Sequence, residues 1–315
     1  MWHQKNVESS SLCSAPQVFS VAGSAPAKAR DRYGFCIAVF VLLQSLLAVP
    51  CRGDELTEKG RAIFKQHQHS VVTVQIVVKS KFSMGGMGGQ SNESRQDVTG
   101  TVVDASGLTV VSLSATDPSQ MMQSMFSGMS DEDMKFKMDT ELSDLKILLE
   151  DGTEVPAEVV LRDKDKDLAF IRPKTKLSAP LPALDLTKSG TAEVLDQVIA
   201  LNRLGNAAGR AYAASVERIS AVVERPRLFY VPETSMTTTT LGAPAFTLDG
   251  KVLGLFVMRS LRGGGGGSGG MLGMLSMQAQ SMTAIIVPVG DILKAVKQVP
   301  APTEDKDKDK DGEHK

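Results

Sequence analysis

An all-β barrel or sandwich closed by one C-terminal helix is the architecture the sequence predicts, and three observations predict it. Short runs rich in β-branched and apolar residues recur along the chain, each ended by Gly, Pro, Asp or Asn. Between them helical periodicity is nearly absent. The exception is VGDILKAVKQV (289–299), where apolar residues fall at helical spacing and Pro300 stops the run.

The elements follow in order. DELTEKGRAIFKQHQH (54–69) reads as a short amphipathic helix leading into the fold, and SVVTVQIVVK (70–79) as a strand. SKFSMGGMGGQSNESRQD (80–97) reads as a flexible Gly/Ser/Met loop. VTGTVVDASGLTVVSLSAT (98–116) gives two strands about an Asp-Ala-Ser-Gly turn, a hairpin signal. A Met-rich insertion (117–139) comes next. LKILLEDGTEVPAEVVLRD, DLAFIRPK, QVIALNRLG, AASVERISAVVE, RLFYVPET and KVLGLFVMRS then supply further short strands, the pattern of a sandwich or barrel.

Composition narrows the function. The formal net charge is -1, so no basic surplus exists to neutralise a nucleic-acid backbone, and that class of partner is excluded. Residues 1–53 read as a leader. Arg30 and Arg32 precede the apolar run FCIAVFVLLQSLLAV (35–49), and PCRGDE follows it, the layout of a secretory signal. The run is short for a membrane span, although an uncleaved anchor is an alternative. All three cysteines, Cys13, Cys36 and Cys51, lie in this leader. A mature domain without disulfides fits a bacterial periplasm or cell envelope.

The order of motifs over residues 60–299 resembles the bacterial HtrA/Deg branch of the trypsin-like serine proteases. VTGTVVDASGLTVVSLSAT is similar to the segment carrying that family's histidine, and LEDGTEVPAEVVLRDKDKDLAFIRP to the segment carrying its aspartate. GAPAFTLDGKVLGLFV resembles the strand pair behind its serine. The resemblance implies a trypsin-like double six-stranded β-barrel with a C-terminal helix. The barrels are expected at about 70–175 and 190–290 within a domain of 54–299, with a charged disordered tail at 300–315.

Carried across residue by residue, the resemblance places Ser114 at the histidine position, Asp167 at the aspartate and Leu241 at the nucleophile. Thr239 and Thr240 occupy the former oxyanion turn, with Thr239 at the glycine whose N–H completes the hole. Acyl transfer by this route needs a hydroxyl nucleophile, a base in hydrogen-bond reach and donors aimed at the oxyanion. Leucine has no attacking atom and serine is no base near neutral pH. The expectation is therefore a degenerate, catalytically inactive homologue.

No other histidine is expected to rescue it. His3 lies in the leader and His314 in the tail, and His67 and His69 precede the first strand as exposed polar residues. Neither the His67-Gln68-His69 pair, nor alternate Asp163, Asp165 and Asp167, nor the tail sequence DKDKDG meets the ligand set of a metal site. No cofactor and no metal are expected.

Two features support binding without cleavage. The strand at Leu255, Phe256, Val257 and Met258 resembles the edge that pairs with substrate main chain in this family, a mode that needs only backbone groups. Methionines cluster at Met84 and Met87, at Met121, Met122, Met125 and Met129, at Met134 and Met138, and at Met271, Met274 and Met277. Flexible thioethers adapt to varied apolar partners and also suit Cu(I). Expected partners are peptide or unfolded protein segments, or an active protease homologue. The alternatives are an active serine endopeptidase of the envelope and a copper-binding envelope protein.

Overall fold

The computed structural model describes residues 54–84, 87–116, 136–233, 240–260 and 282–301. The leader, residues 117–135 of the Met-rich insertion, Thr239, the glycine run with Met271 to Met277, and the charged tail lie outside the described residues. Among the described residues no helix is long and apolar enough to cross a membrane.

Helix α1 (Glu55–His67) begins at Asp54, whose side chain accepts from the Leu56 N–H. Glu55 and Glu58 sit in its first turn and Lys65 in its last, each sign matched to the nearer end of the helix dipole. Its apolar face seats Ile63 in the core.

The first barrel comprises β1 (Val71–Met84), β2 (Met87–Val102), β3 (Thr109–Ser112), β4 (Phe136–Leu148), β5 (Glu154–Asp163) and β6 (Leu168–Pro173). It closes in the order β1-β2-β3-β6-β5-β4. The second comprises β7 (Gln197–Arg203), β8 (Tyr212–Val223), β9 (Phe229–Pro232), β10 (Pro244–Thr247), β11 (Val252–Ser260) and β12 (Met282–Pro288), closed as β10-β11-β12-β9-β8-β7. A single turn, α2 (Leu113–Thr116), follows β3, and α3 (Val289–Val296) follows β12. All strand pairings within the two barrels are antiparallel. The expected double barrel with a C-terminal helix is what the chain forms.

One expectation is corrected. The described residues of 80–97 are not a loop, because β1 runs on to Met84 and β2 returns from Met87. β1 pairs on both flanks, with β2 from Val71↔Thr101 to Met84↔Met87 and with β4 from Thr73↔Leu148 to Met84↔Phe136. Pairing of β1 on both flanks, and of the Gly/Ser-rich start of β2 with β1, gives order to a sequence with little strand signal of its own, since strand preference depends on context.

The strands pattern as their burial requires. β3 and β6 are almost wholly buried and read as continuous apolar runs, while β5 alternates. One apolar cluster fills the first barrel around Val74, Ile76, Ile147 and Ile171, and another fills the second around Val198, Ile219, Leu253 and Phe256. The third is shared: Val110, Leu168 and Phe170 of the first barrel pack with Leu201, Phe246 and Leu255 of the second.

Candidate functional site

Asp167 ends the turn between β5 and β6 with φ 57, in the left-handed region that Asp tolerates better than most residues. The β3–β6 register sets Ser112 opposite Leu168, so the next step brings Leu113 to Asp167, and the Leu113 N–H donates to the Asp167 carbonyl at 2.9 Å. Sequence neighbours of β3 and β6 thereby become partners at one spot.

The carboxylate of Asp167 is fully engaged. Its Oδ1 accepts from the Ser114 N–H at 2.7 Å and from the Ser114 hydroxyl at 2.6 Å. Its Oδ2 accepts from the Ser112 hydroxyl and from the Met258 N–H at 2.9 Å. Burial raises the carboxyl above its usual range, against the lowering effect of the bonds from Ser112, Ser114 and Met258. Four donors on two oxygens leave the group no free capacity to orient a base.

Leu241 is 3 % exposed, in a turn held from both sides. Gly242, the next residue, donates its N–H to the Phe256 carbonyl at 2.8 Å and accepts at its own carbonyl from the Thr101 hydroxyl at 2.8 Å. Its φ is +86, and a Cβ there would lie 2.2 Å from the Thr99 carbonyl oxygen, so only glycine fits. Thr240 is buried and its carbonyl accepts from the Ala243 N–H.

Strand β11 gathers these positions. Met258 holds Asp167, and Phe256, two residues earlier, holds the residue after Leu241. Ser114, Asp167 and Leu241 therefore meet around one strand of the second barrel. None of Leu113, Ser114, Ala115 or Thr116 on α2 carries an imidazole, so no base comes from that turn whichever residue faces the cleft.

The two described histidines lie elsewhere. His67 is half-buried and stacks on Phe246, with ring centroids 4.7 Å apart and planes at 21°, which corrects the expectation of an exposed residue. Burial first, and Lys188 second, lower its pKa, and its buried Nε2 has no hydrogen-bond partner. His69 turns instead to Glu150, with Nδ1 2.9 Å from Oε2, and meets Tyr212 edge-on. Asp163 pairs with Lys166 and Asp165 with Arg227, so the alternate acids do not converge with Asp167. Among the described residues no group of three His, Cys, Asp or Glu is placed to hold a metal ion.

The candidate peptide edge is narrower than the sequence implied. Phe256 donates to the Ala243 carbonyl and accepts from the Gly242 N–H, while Leu255, Phe256 and Val257 also face Val287, Ile286 and Ile285 of β12. Leu255 and Phe256 are thus flanked on both sides, and Val257 on the β12 side. Beyond them, Met258 spends its N–H on Asp167, and Arg259 and Ser260 continue opposite Thr283 and Met282.

Sequence reasoning missed Ser112 and Met258 as donors to Asp167. The hydroxyls either side of Leu113 carried a signal for the first; a main-chain N–H ninety-one residues away carried none for the second. It also missed the seam between barrels, where the Thr99 hydroxyl lies 3.2 Å from the Arg203 N–H and 3.4 Å from its carbonyl oxygen. There too, Arg210 pairs with Asp97 at 2.7 Å.

A family model described as a trypsin-like peptidase domain matches residues 98–255, half of the chain. No curated protein matches it. The matched span runs from β2 into β11 and contains Ser114, Asp167 and Leu241. β1 and β12, outside the match, complete the two closed barrels. With both barrels closed and the three site positions gathered at β11, the chain belongs to the family of trypsin-like peptidase domains.

Proposed function

We propose that this chain is an exported, non-cleaving member of the HtrA/Deg branch that acts by holding extended peptide or unfolded protein segments, or by partnering an active homologue. The observation that carries the reading is the state of Asp167: a carboxylate satisfied by Ser112, Ser114 and Met258, with no imidazole among the described residues bonded to it. Leu241, at the position the resemblance gives to the nucleophile, has no attacking atom. In a serine protease of this chemistry, loss of the nucleophile or the base alone costs about a million-fold in turnover. The apolar leader supports export to the periplasm or envelope. A client strand would add along β11 beyond Val257, through the main-chain groups of Met258 to Ser260 that Asp167 and β12 leave open.

Family membership favours a second reading, an active serine endopeptidase. One experiment separates the two. Purified protein is incubated with a fluorescent unstructured casein fragment and, separately, with a serine-directed phosphonate probe. The proposal expects slowed tumbling of an intact fragment and no labelling. Shortened fragments or a covalent adduct would establish the peptidase.

A further inference from the structure

Away from the Asp167 cluster, a cavity of about 310 Å³ opens between the start of β1, the β4–β5 turn, the chain linking the barrels and the β7–β8 edge. Its walls are mostly apolar, with Val71, Val72, Leu148, Leu149, Leu181 and Pro182. That volume is at the lower end of pockets that hold small organic ligands.

Besides His69, three charged side chains line the cavity: the cation of Arg203 and the carboxylates of Glu150 and Asp151. Arg203 lines it, is only 8 % exposed, and lies with its guanidinium carbon 3.9 Å from the Tyr212 ring centroid. Among the described residues no carboxylate pairs with this guanidinium, and its buried Nε has no hydrogen-bond acceptor. Both acids have other partners: Glu150 lies 2.9 Å from His69 Nδ1 and bonds Tyr212, and Asp151 accepts from the Thr153 N–H. A buried charge without a carboxylate partner is costly, and the ring contact and side-chain bond to Tyr212 offset only part of that cost. A planar guanidinium suits a carboxylate, which it can meet with two parallel bonds.

We infer that this cavity is a binding site for an apolar monocarboxylate, with Arg203 fixing the carboxylate and the β1 and β4 side chains enclosing the hydrocarbon. The site is independent of whether the Asp167 cleft cuts or binds. Its ligand is either a free small organic acid or the C-terminal residue of a polypeptide, since both present a carboxylate on an apolar body.

Calorimetric titration of the full chain with octanoate, octanol, N-acetyl-Leu-Leu and the amide of that dipeptide tests it. The expected result is binding of octanoate or the dipeptide acid at least about tenfold tighter than its uncharged counterpart, a difference of about 1.4 kcal/mol. Octanoate alone would identify a free acid as the source; the dipeptide acid alone would identify a chain end. Arg203→Met should remove the preference for the carboxylate. Leu181→Trp, which fills the cavity and leaves the cation in place, should abolish binding and covers the case in which R203M does not fold. Equal binding of charged and uncharged partners, or no binding of any, would overturn the assignment.

Discussion

The main-chain N–H of Met258 in the second barrel donates to the carboxylate of Asp167 in the first at 2.9 Å. That bond crosses the cleft and uses an oxygen which also accepts from Ser112. The carboxylate is thus a structural link between barrels, and its chemistry is testable as such.

Asp167→Asn isolates the proton linkage. Because burial raises the folded carboxyl above its unfolded value of about 4, the folded state binds the proton more tightly, and this group's contribution to stability declines as pH rises above about 4. The decline ends above the folded pKa. The difference in urea-unfolding free energy, wild type minus variant, should therefore shrink with rising pH through that window. A difference that stays flat or grows would show that the carboxyl is not held up by burial.

Ser112→Ala and Ser114→Ala each remove one hydroxyl donor from that buried carboxylate. Each should cost about 1–3 kcal/mol near neutral pH, the scale of a bond to a charged group. Both bonds lower the Asp167 pKa, so each loss should extend the falling limb to higher pH. Paired urea titrations at two pH values measure both effects.

Gly242→Ala should destabilise by more than about 2 kcal/mol, since left-handed backbone and a 2.2 Å approach to the Thr99 carbonyl act together. Gly250, also at positive φ (+79) but facing open space, is the control, and Gly250→Ala should cost only about 1 kcal/mol. Similar losses at the two sites would place the Leu241 turn away from β2.

Leu241→Ser restores a hydroxyl but not a base. Phosphonate labelling should stay at background, while exchange of a buried leucine for serine should lower stability by about 3 kcal/mol. Labelling of this variant above background would mean that another group in the cleft takes up the proton.

The double barrel was legible because most strands contain an apolar or β-branched run, as in residues 71–78 of β1 and in Leu168–Pro173. The strands over 80–84 and 87–97 were not, because glycines and serines carry no alternation and the order comes from β1 pairing with β2 and with β4. At the site, Asp167 stood out by its place before LAFI, and Leu241 by its register with Pro244. The partners of Asp167 were hidden for a different reason: a main-chain donor has no residue identity to read. His67 likewise looked exposed in a polar string, yet its ring is covered by Phe246, nearly one hundred and eighty positions later.

The cluster that joins Phe170 to Phe246 has a consequence for the molecule as a whole. Neither half owns a complete interior, so truncating the chain in the 174–196 linker would strand oily surface on both fragments. The pair should melt in one transition and be inherited as one unit, with drift in the cleft constrained by the interior beneath it.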